Sequence, residues 1–512
     1  MAYFLQSIIR NRRSHSCNLY LEGTYMNRNN ILDSCLKVHP FINNHALPCQ
    51  SYTTIYDPGK LTNIVGKAGV STPEDVDQAV KAAHQGFLSW GKLEPQERVE
   101  KVMLASDVLE NSISDLAHLL VREHGGLLQE AKMDFRGGYG NFKYYENIVE
   151  EFMEAEEKED EKSWIRIENK PKGVVAAIVP WNMPVVLTMM KLVPALMTGN
   201  TIVVKPSPRA PLALTLLLQR MAAVLPNGVI NVVLGDDDVG AALTSHPLVK
   251  KVAFTGGCEN GKKVMVNAAS SLKGVTLELG GNDPAIILDD APIEELMPRL
   301  VKGIFTRAGQ ICYAIKRLYV PQAMLKDFFD LMCEHLKDYR VGHGLDEHAT
   351  MGPVNNLEQF RFVRELINEA KENGAVVREL GSKCDPDNWD NGYYILPHVV
   401  IDKEHTTRLV HCEQFGPVIP ITPYETIEEA IAMANDSNYG LASSIWTGDY
   451  ERGKKLAPQL EAGLTFINVH GLGSTAMGMP FGGIKDSGVG REMSAEPTLY
   501  AYTDFHAMRL LK

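Results

Sequence analysis

A glutamate at a glycine turn, Leu277-Glu278-Leu279-Gly280-Gly281, is followed 34 positions later by the cysteine of Gly309-Gln310-Ile311-Cys312. These two side chains are the chain's best candidates for covalent chemistry. A cysteine attacks as its thiolate, and at an ordinary pKa of about 8.5 it is mostly protonated at neutral pH, so it needs a base or a dipole beside it. A carboxylate is such a base, and the apolar neighbours of both residues would keep water out. Taken singly, each has a plainer reading: a cysteine in an apolar stretch is usually core filler, and a glutamate beside two glycines is usually a surface turn. A third group, Asn182 of Pro180-Trp181-Asn182-Met183-Pro184, offers an amide NH2 from a loop pinned by two prolines.

The surrounding pattern supplies a scaffold for them. Residues 173–179 read as a buried strand, 184–197 have helical period, and 201–204 form a second strand ending in Lys205-Pro206-Ser207-Pro208. Residues 228–234 and 251–254 repeat the strand theme with helices between, which predicts a parallel sheet covered on both faces, the architecture that binds dinucleotides at the carboxyl ends of its strands. Asn182 falls at such an end. The run Phe254-Thr255-Gly256-Gly257 leads through Gly261 into a helix, and its use would be to let a pyrophosphate approach backbone at a helix N-terminus. Upstream, 73–90 is predicted helical, with Ser71 or Thr72 as cap and Pro73 in the first turn, and 97–123 is predicted as two further helices. Residues 164–168 alternate as a strand with one wet face, 498–503 have strand-like composition, and 316–320 form another strand.

Glu-Leu-Gly-Gly followed by Gly-Gln-x-Cys resembles the two signatures of the aldehyde dehydrogenase superfamily, and the resemblance extends in order from about Tyr52 to the C-terminus. It implies Cys312 as nucleophile, Glu278 as general base, and Asn182 with the Cys312 N–H as oxyanion donors. It also implies a cofactor site of Val179, Pro180, Trp181, Lys205, Ser207, Gly256, Gly257, Gly261, Leu279, Glu413 and Phe415. Met183, Met190, Tyr313, His470 and Phe481 are expected to line the aldehyde's approach. The implied fold is α/β: a Rossmann-like cofactor domain (51–150 and 172–281), an α/β catalytic domain (282–494) and a small β oligomerisation arm (151–171 and 495–512) that makes a homodimer or homotetramer. Three departures stand out. Pro208, followed by Arg209, replaces a glutamate that many NAD-preferring members carry, which leaves NAD and NADP both open; Gly257 replaces a usual serine; and Arg307 replaces a usual asparagine near the nucleophile, where it would either greet an acidic substrate tail or turn away into a salt bridge.

The implied reaction is NAD(P)+-dependent oxidation of an aldehyde to an acid through a thiohemiacetal and a thioester. One rival is a CoA-acylating dehydrogenase, which has no need of the hydrolytic base Glu278; the other is a non-catalytic member of the same fold. Composition bounds the rest. A formal net charge of −12 argues against non-specific nucleic-acid binding. Eight cysteines without a Cys-x-x-Cys pair, and no histidine cluster at metal spacing, fit a reducing compartment and no metal. The cytoplasm is the expected location, with the mitochondrial matrix as alternative. The most apolar long run, 184–204, is interrupted by Lys191, Pro194 and Asn200, so no membrane span is expected. Residues 1–50 are expected to be a disordered extension; the first 16 are basic, Ser-containing and acid-free, which leaves a short transit segment as the other reading.

Overall fold

The computed structural model describes residues 36–405 and 407–512. The basic start of the chain lies outside the described residues. An eight-stranded sheet carries the first half of the site. Its order is Gly488–Val489, Gly274–Glu278, Val249–Thr255, Val174–Ile178, Thr201–Lys205, Ile230–Val232, Phe41–Ile42 and His45–Ala46. The five central strands run parallel. They are all but continuously apolar where both faces are covered, as a parallel sheet between helices requires. The chain order reverses between Val174–Ile178 and Val249–Thr255, and at such a switch point a crevice opens beyond the carboxyl ends of the strands.

Helix α1 (Pro73–Trp90) is capped by a reciprocal pair: the Thr72 hydroxyl accepts from the Asp75 N–H while Asp75 accepts from the Thr72 N–H. Residues expected to make two helices after it form one, α2 (Pro95–His124), which ends at Gly125 with φ 87°. No helix breaker falls within it, and the interior stripe of Val102, Leu109, Leu116 and Leu120 continues without a phase break. Helices α3 (Leu128–Glu146) and α4 (Pro184–Met197) then pack side by side.

A second sheet, seven-stranded, has the order Val376–Glu379, His398–Ile401, Val418–Tyr424, Ile315–Pro321, Asp283–Ile287, Ala442–Trp446, Leu464–Ile467. All its pairs but the first are parallel. The link 279–282 leaves the carboxyl end of one sheet and enters the amino end of the other, so these two edges face a common cleft. A third sheet pairs Thr503–Leu511 with Ser163–Pro171 over nine residues, and Ser163–Pro171 with Glu156–Glu159.

Two further expectations are overturned. The strand expected at 498–503 begins only at Thr503; Glu496–Tyr500 is a short helix with Pro497 in its first turn, and it buries Thr498 and Leu499 while Tyr500 stays exposed. Within 1–50, the described residues from 36 on are built into the fold: Lys37–Val38 joins a small sheet with Lys60–Gly69, and Phe41–Ile42 adds an antiparallel edge to the eight-stranded sheet.

Candidate active site

The crevice at the switch point is walled by the loops leaving its two strands. Val179 donates its N–H to the Lys205 carbonyl at 3.2 Å, and the Trp181 ring meets Phe415 edge-on, centroids 5.6 Å apart. Across the crevice, Gly256 donates to the Glu278 carbonyl at 3.1 Å, and helix α5 (Cys258–Ala269) begins after Gly257. A Cβ on Gly257 would meet nothing within 4 Å, so the α5 N-terminus looks into open space, whereas a Cβ on Gly261 would collide with Leu279 and one on Gly256 with the Phe254 ring. The glycines thus serve two ends, open backbone donors and close helix-to-strand packing, both of which a dinucleotide site needs. Lys205 joins Asp237, Asp238 and Lys263 in a cleft of about 300 Å³ between strand ends and helices. Burial pulls its ammonium down to about 8, with Asp236 and Asp237 opposing. These residues fit a dinucleotide. Ser207, by contrast, turns its hydroxyl to the Arg209 N–H, and Arg209 itself pairs with Glu358.

The nucleophile candidate sits where the chain enters the second sheet. Lys316, buried at the start of its strand, donates to the carbonyls of Ile311 at 2.8 Å and Cys312 at 2.6 Å and lies 3.7 Å from Glu413. Glu413 in turn accepts from the Gly281 N–H at 3.1 Å. A side chain on Gly280 would strike the Glu413 carboxylate, which accounts for glycine there. Burial pushes the Cys312 thiol up to about 12, against the pull of Lys316. Asn182 is buried and donates Nδ2 to the Gln310 carbonyl at 2.9 Å, two residues before the sulfur. Helix α4 starts directly behind it, and Asp134 from α3 accepts the N–H groups of Val185 and Val186 at 3.2 and 2.8 Å.

Glu278 ends its strand in the same cleft, 2% exposed, and neither carboxylate oxygen has a hydrogen-bond partner among the described residues. Burial first, and the charge of Glu492 second, push it well above the ordinary carboxylate range, with Lys191 and Arg491 opposing. Its Oε1 lies 2.8 Å from where a Cβ on Gly482 would stand. Behind it is an ion pair that sequence reasoning missed: Lys191 Nζ donates to both Glu492 oxygens at 2.8 and 3.0 Å, both side chains being fully buried. The signal was a lysine inside an otherwise apolar helix.

A half-buried thiol, a buried amide, an unpartnered carboxylate and a glycine-walled crevice lie together here. The aldehyde dehydrogenase family model matches residues 48–508. This chain belongs to the aldehyde dehydrogenase family. It is 33% identical over 467 residues to the 2-aminomuconic semialdehyde dehydrogenase of Bos taurus, an alignment covering 89% of this chain and 95% of that protein. Among solved structures, the betaine aldehyde dehydrogenase of Staphylococcus aureus in complex with NAD+ superposes with a TM-score of 0.89 at 31% identity, covering 94% of this chain and 97% of that one. HpcC from Thermus thermophilus gives 0.89 at 33% identity, covering 94% of each.

In this aldehyde dehydrogenase a cavity of about 240 Å³ opens onto Cys312. Met183 and Met190 line it from α4, and Tyr313 and Phe481 close it with ring centroids 5.3 Å apart. Val186 and Leu187 on the α4 face, with Met133, Met477 and Met493, complete an apolar wall beyond the residues foreseen. His470 is not among them. Its ring folds back under the second sheet, 2.8 Å from Ser444 Oγ and 3.3 Å from Asp283 Oδ2, because those two are the buried polar partners within its reach. Arg307 also turns away, its guanidinium 2.6 Å from the His124 ring and its backbone N–H on Glu130 at 2.8 Å. No acidic tail is awaited there. Among the described residues no group of three or more His, Cys, Asp or Glu could hold a metal, and no helix is long and apolar enough to cross a membrane.

Proposed function

We propose that the protein oxidises uncharged, medium-chain or aromatic aldehydes to carboxylic acids with NAD+, through Cys312, Glu278 and Asn182. One observation carries the reading: a sulfur opening on an apolar cavity, with Asn182 in the same wall. In the proposed sequence the Cys312 thiol passes its proton to solvent water and Sγ bonds to the carbonyl carbon, the C=O π pair moving onto oxygen. The charge that develops on oxygen is met by the Cys312 N–H and by the Asn182 N–H not held by Gln310; such donors contribute about 100- to 1,000-fold each. When bound, the nicotinamide supplies the hydride acceptor. Glu278 then takes a proton from water, whose oxygen attacks the thioester and releases acid and thiol; a positioned base of this kind is worth about 100- to 10,000-fold. Because burial favours its neutral form, Glu278 serves as base only in the fraction that ionises. Behind it, Glu492 adds to the effect of burial and Lys191 opposes it.

NAD+ is favoured over NADP+ on charge. The cleft around Lys205 sets Lys205 and Lys263 against Asp237 and Asp238, leaving no net positive charge for a 2'-phosphate, and Arg209 is committed to Glu358. We also assign oligomer formation to the strand Thr503–Leu511, whose Phe505, Leu510 and Leu511 are exposed. Oligomers in the cytoplasm fit these features and the free cysteines.

The test is kinetic. Cys312→Ser should abolish NADH production, and Glu278→Gln should leave an initial burst but slow the turnover that follows. Full steady-state activity in either variant would refute the assignment. Addition of CoA should not accelerate turnover, and kcat/KM should favour NAD+ over NADP+ by at least about tenfold.

A further inference from the structure

Helix α3 has glycine at 137, 138 and 140, all in its interior and all with ordinary helical backbone, where each weakens the helix relative to alanine. Gly138 has a packing reason. A Cβ there would stand 3.1 Å from Met189 and 3.2 Å from Val185 on α4, and 3.4 Å from Leu109 on α2, so three helices meet on it. Gly137 has less of one: a Cβ would approach only Val186, with Cγ2 at 3.1 Å and Cβ at 3.5 Å. Gly137 and Val186 both line the cavity that opens on Cys312.

Helical spacing sharpens the contrast between the two walls. At the start of α4 the cavity face is Met183, the residue before the helix, then Val186, Leu187 and Met190, side chains throughout. On α3 the cavity is lined by Met133 and Gly137, one turn apart, and the second carries no side chain. The room is therefore made by omission on one helix. What surrounds it is thioether and methyl, with the Tyr313–Phe481 pair on the far side, and flexible methionines adapt to a flat ring and make favourable sulfur contacts with it.

We propose that Gly137, by withholding a side chain from the cavity wall beside Val186, admits aldehydes with an aromatic ring and so determines which aldehydes reach Cys312. The inference rests on the proposed function, since it deepens the substrate class of that site. Gly137→Leu fills the space with a branched side chain. Gly137→Ala raises helix propensity while adding one methyl, and Val186→Ala widens the same space from α4.

The experiment measures kcat/KM for phenylacetaldehyde and for propanal with NAD+ in wild type and variants, with far-UV circular dichroism as a check on folding. The wild type should oxidise both. The phenylacetaldehyde-to-propanal ratio should fall about 10- to 200-fold in Gly137→Leu, the range one hydrophobic pocket contact commands, and should move down in Gly137→Ala and up in Val186→Ala. Should Gly137→Leu fail to fold, the two smaller variants decide. Ratios within about twofold of wild type in the folded variants would overturn the inference, as would a wild type that oxidises propanal alone. A wild type that oxidises neither aldehyde would instead overturn the function on which it rests.

Discussion

Cys312 and Glu278 are both held in their neutral forms by burial, the thiol pushed up to about 12 and the carboxyl well above its usual range. A carboxyl with a raised pKa gains its base form only as pH climbs past the ordinary carboxylate range, so turnover limited by thioester hydrolysis should rise with pH there. In Glu278→Gln that limb should vanish from steady-state turnover while the pH dependence of the burst persists; stopped-flow NADH absorbance across acid, neutral and alkaline buffers separates the two. The Lys191–Glu492 pair makes a second prediction. Lys191→Met strands a buried carboxylate, a change that typically costs about 3–5 kcal/mol, and Lys191→Met/Glu492→Gln should recover part of it in urea unfolding. Equal stability of the two variants would show that the pair is not energetically coupled. Cys312, Glu278 and Asn182 could be singled out as candidates from the sequence because their motifs are local. Lys316, which grips the Cys312 carbonyl, was read only as part of a strand, since nothing in its neighbours announces where its ammonium points.

Two helices that frame the site have caps contributed from elsewhere in the chain. Asp134 on α3 caps α4, and Glu123 on α2 accepts the N–H groups of Leu212 and Ala213, at 2.7 and 2.8 Å, where the helix Leu212–Ala222 begins. Neither helix has a side-chain cap of its own, so tertiary packing supplies both. Glu123→Ala should lower stability by about 1–3 kcal/mol, the cost of unsatisfied buried donors. Its pH dependence follows from linkage. Burial raises the folded pKa of Glu123 to about 8, above an unfolded value of about 4.3. The folded state therefore binds more protons than the unfolded state between those values, and wild-type stability falls as pH rises through that window. In Glu123→Gln this slope should be absent; parallel stability–pH curves for the two proteins would argue against the buried carboxylate. Periodicity alone placed α1 and α4 correctly, but it divided α2 in two, because its polar positions look like a break until the neighbours that cover them are known.

Across the whole molecule, the site exists because two parallel sheets face each other through opposite edges, carboxyl ends against amino ends. The third sheet stands apart from that cleft, with Phe505, Leu510 and Leu511 exposed along an edge strand, a liability unless another chain covers it. Removing residues 503–512 should reduce the mass measured by light scattering after gel filtration. An unchanged oligomer would assign assembly to another surface.

What the linear chain determined by itself was the chemistry available: a thiol, a carboxyl and an amide in motifs short enough for backbone sterics and local spacing to specify, and the alternation of strands and helices that predicts a dinucleotide fold. Tertiary structure alone decided which of the accessory side chains face the cleft. It turned His470 and Arg307 inward to buried partners, set Lys191 against Glu492 across 301 positions, and put Gly137 on the wall of the cavity that opens on Cys312. The physical reason is that a side chain's direction, burial and charge state depend on groups brought near it by packing, and those groups lie far away along the polymer.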